Sequence, residues 1–215
     1  MNFDNFKKIL PKIAKIPLPG TSSQLKMAPT MREKELESMQ ERMKNARKSA
    51  VMALFYPNAA RETNFVLILR KTYKGVHSNQ VGFPGGKIEP EDINYETTAL
   101  RETEEEIGIN SNSIEIIRKT TATYIPPSNF IVQPFIGILQ ETPTFIPQAS
   151  EVENIIEVAL ADFLSEQAVI EKELTNSYMK KIQVPAFYLN DHVVWGATAM
   201  MLSEVKDIIS QAISN

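Results

Sequence analysis

The most informative segment of the chain runs from Gly85 to Ile109 and reads GGKIEPEDINYETTALRETEEEIGI. Two glycines open it, and a segment of helix-forming composition follows from about Tyr95 to Ile107. Because each helical residue lies about 100° further round the axis, Glu102, Glu105 and Glu106 fall together on one face. The stretch therefore predicts a glycine loop that leads into a helix with a carboxylate face.

Local rules also predict where this helix begins and ends. Asn94 is a candidate N-cap residue with Thr97 at position N3, and Gly108 is a candidate for the left-handed residue that ends a helix. The side expected to pack against the protein is mostly apolar and comprises Ala99, Leu100, Thr103 and Ile107.

Clustered carboxylates need an explanation, because like charges one turn apart oppose helix formation by a few tenths of a kcal/mol per pair. A solvated helix face is the commonest explanation. The alternative is a hard divalent cation, since Mg²⁺ prefers a few carboxylate oxygens together with water and substrate phosphates. Arg101 precedes Glu105 by one turn, where it can fix the orientation of that carboxylate. Together with the glycine loop, this pattern favours a metal site that acts on a diphosphate.

The stretch resembles the Nudix box, in which Gly, five residues, Glu and seven residues precede Arg-Glu-aliphatic-any-Glu-Glu-any-Gly-aliphatic. The matching residues are Gly86, Arg101, Glu102, Glu105, Glu106, Gly108 and Ile109. Asp92 replaces the first Glu of the pattern, one additional residue separates it from Arg101, and Thr103 occupies the aliphatic position.

This resemblance implies an α/β fold, a Nudix-type α/β/α sandwich with a mixed β-sheet, and metal-dependent hydrolysis of a phosphoric anhydride. It implies that Glu102 and Glu106 bind Mg²⁺ or Mn²⁺, and that the backbone carbonyl of Gly86 is a further metal ligand. Glu105 is then either a third metal ligand or the general base, with Arg101 orienting it. A base on a separate loop is the alternative, and Glu151 and Glu153, which precede the predicted strand at Ile155, are the candidates there.

The departures from the general pattern resemble the coenzyme A branch of the Nudix hydrolases, which has the same longer spacing with Asp. The segments from Leu67 to Lys71 and from His77 to Gly86 resemble that branch too, with Leu69 in place of Thr and Asn79 in place of Gly. The implied reaction is hydrolysis of CoA or acyl-CoA to adenosine 3′,5′-bisphosphate and a 4′-phosphopantetheine product. Alternatives are ADP-ribose, NADH or a noncanonical nucleotide as substrate, and a Nudix domain that senses a nucleotide without turnover.

Three basic residues are the candidates for binding the substrate phosphates. Arg70, His77 and Lys87 all lie close in sequence to the glycine loop. The ordinary alternative for a lone histidine is a structural role, and for a loop lysine it is simple solvation.

Composition limits the other possibilities. The chain has 215 residues, 43% of them hydrophobic, which is enough for one core, and it has no cysteine, which excludes disulfides and thiol catalysis. No apolar run approaches the roughly 20 residues of a membrane span. We expect a cytoplasmic protein without a membrane span that binds a small CoA-like nucleotide. The sequence leaves open whether the protein forms a homodimer.

Charge divides the chain into two parts. Residues 1–48 contain 11 Lys and Arg against 5 Asp and Glu, whereas residues 49–215 contain 12 against 21. We therefore predict a helical, basic N-terminal extension over 1–48 and a Nudix hydrolase domain over 49–215. Nucleic-acid binding is not expected, because it requires a basic surface and the catalytic part is acidic.

The remaining elements are predicted from periodicity and turn residues. Helices are predicted at Asn2–Leu10, where Pro11 is expected to end the helix, and at Met31–Lys48, Ala161–Leu174 and Ala197–Ile213. Strands are predicted at Val51–Tyr56, Phe65–Arg70, Thr120–Tyr124, Ile131–Leu139, Ile155–Ala159, Lys181–Leu189 and His192–Trp195. Asn190 and Asp191 are expected to form the turn between the last two strands.

Overall fold

The computed structural model describes residues 1–28, 42–71, 80–175 and 181–214. The helices are α1 (Phe3–Lys15), α2 (Thr21–Leu25), α3 (Tyr95–Ile107), α4 (Leu160–Leu164) and α5 (Gly196–Ser214). The strands are β1 (Arg47–Pro57), β2 (Thr63–Arg70), β3 (Val81–Gly82), β4 (Gly85–Lys87), β5 (Glu115–Lys119), β6 (Thr123–Ile125), β7 (Phe130–Ile138), β8 (Val152–Ala159), β9 (Val169–Thr175), β10 (Lys181–Leu189) and β11 (His192–Trp195). Short 3₁₀ turns cover Ser111–Ser113 and Glu166–Ala168.

The larger sheet is mixed and has β1 at its centre. Its strand order is β3-β2-β1-β7-β5, with β6 pairing with β7 and β8 pairing with β2. Strand β1 is parallel to β7, and it pairs antiparallel with β2 at one end and with β4 at the other. A second, antiparallel sheet has the order β11-β10-β9.

Alternation along β1 builds a separate core on each face of the larger sheet. Ala50, Met52 and Leu54 pack with Ala99 and Ile107, so α3 covers one face. The residues between them, including Val51, Ala53 and Phe55, pack in a core shared with α1 and α5 on the other face. These layers confirm the α/β/α sandwich predicted from the sequence.

The N-terminal segment is part of that second core. Phe3, Phe6 and Ile13 of α1 are completely buried. Arg118 of β5 donates from Nη1 to the carbonyl oxygens of Ile13 and Ile16, at 2.7 Å each. The first 16 residues therefore share a hydrophobic core with the larger sheet. The predicted division of the chain between residues 48 and 49 stays a prediction.

A buried carboxylate fixes the next part of the N-terminal segment. Glu204 of α5 is 0% exposed. It accepts hydrogen bonds from the backbone N–H of Gly20, from Nε2 of Gln24, and from both the N–H and the hydroxyl of Thr121. A buried carboxylate with this many donors connects α2, α5 and the loop before β6.

Two predicted helices differ from the structure. Pro11 does not end α1, which continues to Lys15. Proline costs about 3 kcal/mol inside a helix, and the complete burial of Ile13 beyond it offsets that cost. The helix predicted at Ala161–Leu174 was also wrong beyond Leu164, because the residues from Val169 onward pair with β10 as strand β9.

The second predicted N-terminal helix, Met31–Lys48, falls partly on described residues. Residues 29–41 lie outside the described residues. Arg47 and Lys48 belong to β1, so the C-terminal end of that prediction was wrong. Their pairing with β7, from Arg47 opposite Phe130 onward, supplies a long-range partner that helical periodicity does not reveal.

Other predictions agree with the structure. Helix α3 and strands β10 and β11 have the predicted limits. Asn190 and Asp191 adopt positive φ angles of 44° and 63°, as a tight hairpin turn requires. Strand β5 was missed. No helix within the described ranges is long and apolar enough to cross a membrane.

Candidate active site

Helix α3 is fixed at both ends by the residues that the sequence indicated. The side chain of Asn94 accepts from the N–H of Thr97, and the hydroxyl of Thr97 accepts from the N–H of Asn94, which forms a capping box. Gly108 ends the helix with φ at 72°. Thr103, which occupies an aliphatic position of the box, is fully buried. Its hydroxyl tolerates burial because it donates to the carbonyl of Ala99 at 2.6 Å.

The glycine loop becomes the short strand β4, and both glycines are required by close contacts. Gly85 has φ at 145°, and a Cβ there would lie 2.4 Å from the carbonyl oxygen of Ala50. A Cβ at Gly86 would lie 2.3 Å from the carboxylate of Glu102. The loop backbone and the Glu102 carboxylate are therefore packed directly together.

Arg101 connects four groups around this contact. Its Nε and Nη2 donate to the two oxygens of Asp92 at 3.0 and 2.9 Å, and Nη2 also donates to the carbonyl of Lys87 at 3.1 Å. Its Nη1 donates to Glu102 at 3.1 Å and to Glu105 at 3.0 Å. Arg101 therefore holds two of the predicted metal ligands in fixed orientations, as the sequence suggested for Glu105.

Asp92 is the residue that fixes Arg101, and sequence reasoning did not assign it this role. Besides the two bonds from Arg101, Oδ2 accepts from the N–H of Glu89 and from the hydroxyl of Thr98, each at 2.9 Å. The hydrogen bond from Arg101 is the main cause that lowers the Asp92 pKa to about 2. The Asp and the additional residue of spacing were visible in the sequence, and they are the signal that could have identified this contact.

The surroundings of Glu102 raise its pKa. Its side chain is 13% exposed. Burial raises its pKa to about 7, Arg101 opposes that rise, and the nearby charges of Glu106 and Glu105 add to it. A cation at this position would remove the repulsion between the three carboxylates.

Glu106 lies deeper, and both of its oxygens have partners. Its side chain is 1% exposed; Oε1 pairs with Nη1 of Arg70 at 2.8 Å, and Oε2 accepts from the N–H of Gly85 at 2.7 Å. Arg70 also donates from Nη2 to the carbonyl of Gly85 at 2.7 Å. Burial raises the pKa of Glu106 and Arg70 opposes that effect. Arg70, a predicted phosphate ligand, thus lies beside helix α3; its phosphate contact stays a prediction.

The other predicted site residues lie around this group. Glu105 is 56% exposed, so its free oxygen faces solvent. Glu151 is close enough for its charge to raise the pKa of Glu106, which brings the loop before β8 to the site. Lys87 is exposed beside Gly86. His77 lies outside the described residues.

The donor set suits a hard divalent ion in its chemistry. Glu102 and Glu105, the Gly86 carbonyl and, after release from Arg70, Glu106 offer only oxygen donors, and Gly86 leaves space beside Glu102. In the described part of the chain, no three His, Asp or Glu side chains are already arranged to hold a metal ion. The residues therefore fit Mg²⁺ or Mn²⁺, and binding through Glu106 requires that its ion pair with Arg70 be exchanged.

Comparisons with solved structures agree with this fold. The structure resembles a Nudix hydrolase from M. smegmatis, RenU, with a TM-score of 0.53 and 13% identity, over 77% of this chain and 87% of that chain. It resembles a MutT/nudix family protein from Enterococcus faecalis equally well, with a TM-score of 0.53 and 16% identity, over 87% and 76% of the two chains. At these identities the likeness supports the fold alone.

Sequence comparisons give the family. The "Peroxisomal coenzyme A diphosphatase ndx-8" of Caenorhabditis elegans is 27% identical over 155 residues, which are 71% of this chain and 64% of that protein. "Nudix hydrolase 22, chloroplastic" of Arabidopsis thaliana is 27% identical over 172 residues, 77% of this chain and 56% of that one. The match thus spans less than two thirds of either relative. A family model described as "NUDIX domain" matches residues 46–178, more than half of the chain, and the protein therefore belongs to the Nudix family.

Proposed function

We propose that this protein is a metal-dependent diphosphatase that hydrolyses CoA or acyl-CoA. Water and the substrate give adenosine 3′,5′-bisphosphate and 4′-phosphopantetheine, or its acylated form. The observation that carries the diphosphatase activity is the set of contacts from Arg101 to Asp92, Glu102 and Glu105 beside Gly86. These contacts hold carboxylate oxygens in place before any substrate arrives, which lowers the cost of organising the site.

A divalent ion bound by these carboxylates supplies charge neutralisation on the diphosphate and a lower pKa for bound water. The protein supplies the rest. Glu102 and Glu106 are the proposed ligands. Arg101 fixes Glu102, and the N–H of Gly85 holds one oxygen of Glu106 while the other is released from Arg70. Glu105, half exposed and held by Arg101 through one oxygen, is our first choice of general base. Glu151, whose charge influences Glu106, is the second.

The choice of CoA rests on weaker support than the reaction class. Asp92 and its longer spacing resemble the CoA branch, and in this structure Asp92 provides the anchor for Arg101. A relative that is named as a CoA diphosphatase is 27% identical. ADP-ribose, NADH and noncanonical nucleotides are the competing substrates, since the proposed metal site would act only on the diphosphate that they share. The cytoplasm stays our prediction for the location.

A nucleotide-sensing domain without turnover is the competing function. Such a domain can lose a metal-binding glutamate without consequence, whereas Glu102, Glu105 and Glu106 are all present and are all held by Arg101 or Arg70. This retention favours an enzyme.

A substrate panel tests the proposal. CoA, acetyl-CoA, ADP-ribose and NADH are incubated with the full-length protein and Mg²⁺ or Mn²⁺, and the products are identified by mass spectrometry. We expect the highest kcat/KM for a CoA substrate. A higher value for ADP-ribose or NADH would reject the CoA assignment, and ligand-induced thermal stabilisation without any product would favour the sensor.

A further inference from the structure

A cationic group lies across the sheet from the carboxylate helix, at the same end of β1. Ser49 of β1 pairs directly with Lys87 of β4, and Arg47 lies two residues before Ser49. Because alternate residues of a strand share a face, the side chains of Arg47, Ser49 and Lys87 leave the sheet on one face. Gly86, the residue before Lys87, pairs with Ala50, whose side chain packs on the α3 face. The cationic group and the Glu102 contact are therefore adjacent along β4 but on opposite faces.

Arg47 is held in a fixed position on this face. Its guanidinium lies over the ring of Phe130, 4.2 Å from the centroid, and Phe130 is its partner in β7. Nη2 donates to the carbonyl of Ser128 at 2.8 Å, and the backbone N–H donates to the carbonyl of Asn129 at 2.9 Å. A long side chain that is already ordered loses less entropy when it binds a ligand.

The charges of this group are uncompensated. Across the residues that the structure describes, neither Arg47 nor Lys87 forms an ion pair with a carboxylate, although both side chains are exposed. The arginines beside α3 behave differently, since Arg70 and Arg101 are both paired with glutamates. Within the described residues, two cations without a carboxylate partner thus lie at one place next to the glycine loop.

A buried hydroxyl adjoins the same group. Ser128, whose carbonyl holds Arg47, is 8% exposed, and its Oγ has no hydrogen-bond partner among the described residues. Such a hydroxyl costs about 1 to 3 kcal/mol when it stays unsatisfied. Because its oxygen is buried, it marks a polar environment beside Arg47 and is not itself a contact for a ligand.

We propose that Arg47 and Lys87 bind a phosphate on the ribose of the substrate, separate from the diphosphate that is cleaved beside Gly86. The inference rests on the proposed function and extends it. Arg47 and Ala50 are three residues apart along β1, about 10 Å, and among the described strands β4 pairs only with β1. A nucleotide that passes over the outer edge of β4 can therefore reach from Gly86 on one face to Arg47 on the other. Arginine forms a planar, bidentate contact with phosphate, and the Phe130 ring holds its guanidinium plane. CoA carries such a ribose phosphate, whereas ADP-ribose and NADH do not, so this site would determine specificity.

Kinetics with a matched pair of substrates test the proposal. CoA and 3′-dephospho-CoA, which lacks only the ribose phosphate, are compared for the wild type, Arg47→Gln and Lys87→Gln. We expect Arg47→Gln to raise KM for CoA about tenfold, as loss of one charge-assisted contact does. Its KM for 3′-dephospho-CoA and kcat for both substrates stay unchanged. Lys119→Gln, which removes an exposed cation from β5, is the control and leaves both KM values unchanged.

An equal rise in KM for both substrates would overturn the proposal, because Arg47 would then contact the base or the diphosphate. Unchanged KM values for Arg47→Gln would overturn it too.

Calorimetric binding separates this inference from the proposed function. Adenosine 3′,5′-bisphosphate and AMP are titrated into the wild type and Arg47→Gln, which requires no turnover. Tighter binding of the bisphosphate by the wild type, lost in Arg47→Gln, supports the ribose-phosphate site even if no CoA is hydrolysed. Equal affinity of the wild type for the two nucleotides would overturn it even if CoA is hydrolysed.

Discussion

Asp92→Asn tests how the carboxylate helix is held. The wild-type carboxylate accepts four hydrogen bonds, two of them from Arg101, and its side chain is 4% exposed. Its pKa is lowered from 3.8 to about 2, chiefly by Arg101. At 1.36 kcal/mol per pKa unit this corresponds to at most about 2.4 kcal/mol of stability. Because Arg101 is 24% exposed and solvent screens the pair, we expect a loss of about 1 kcal/mol.

The assay is urea unfolding followed by circular dichroism, with Glu91→Gln as control, since Glu91 is an exposed carboxylate in the same loop. A lowered pKa stabilises the fold above pH 3.8, and this contribution is lost as the pH falls through about 2. The difference between wild type and Asp92→Asn should therefore be constant near neutral pH and shrink in strong acid. An Asp92→Asn protein as stable at pH 7 as Glu91→Gln would refute the role assigned to Asp92.

Three further predictions concern individual glutamates. Glu105→Gln should lower kcat by about 100-fold, while its Mn²⁺ affinity, measured by calorimetry, changes little. Glu151→Gln should lower kcat only a few-fold. Near-full turnover of Glu105→Gln would instead assign the general base to the loop that carries Glu151. Because burial raises the Glu102 pKa to about 7, Glu102 stabilises the metal-free fold below about pH 4.5 and this contribution is lost as the pH rises through 7. In EDTA, Glu102→Gln should therefore melt higher than wild type at pH 8 and not at pH 4.5; equal shifts at both pH values would contradict this. Glu204→Gln should lower the free energy of unfolding, measured by urea titration, by about 3 kcal/mol, because the buried N–H groups of Gly20 and Thr121 lose a charged acceptor. A loss below about 0.5 kcal/mol would contradict the stabilising role of this network.

Local sequence rules predicted the parts of the site that local contacts build. Helix α3 has its predicted ends because Asn94, Thr97 and Gly108 act within a few residues of one another. The resemblance to the Nudix box implied that Gly86 and Glu102 bind the same metal ion, and the structure brings these two residues into direct contact. Arg101 orients Glu105 within one turn of the same helix, as predicted.

Contacts between residues that are distant along the chain could not be predicted from local sequence patterns. Arg70 was predicted to bind phosphate, and its ion pair with Glu106 joins two segments 36 residues apart. The helix predicted at Ala161–Leu174 gave way to β9 because β10 supplies strand pairing that periodicity cannot show. In the sequence Glu204 is an ordinary helix residue, because its partners are distant along the chain. Gly20, Gln24 and Thr121 lie 184, 180 and 83 residues away, respectively. Tertiary partners decided each of these cases.

The products formed from CoA test the central claim most directly. The full-length protein is incubated with CoA and Mg²⁺, beside the Glu102→Gln variant, and the products are identified by liquid chromatography and mass spectrometry. We expect adenosine 3′,5′-bisphosphate and 4′-phosphopantetheine in equal amounts from the wild type and almost none from the variant. Intact CoA in the wild-type reaction, or dephospho-CoA with free phosphate, would contradict it, because the diphosphate would then be left uncut.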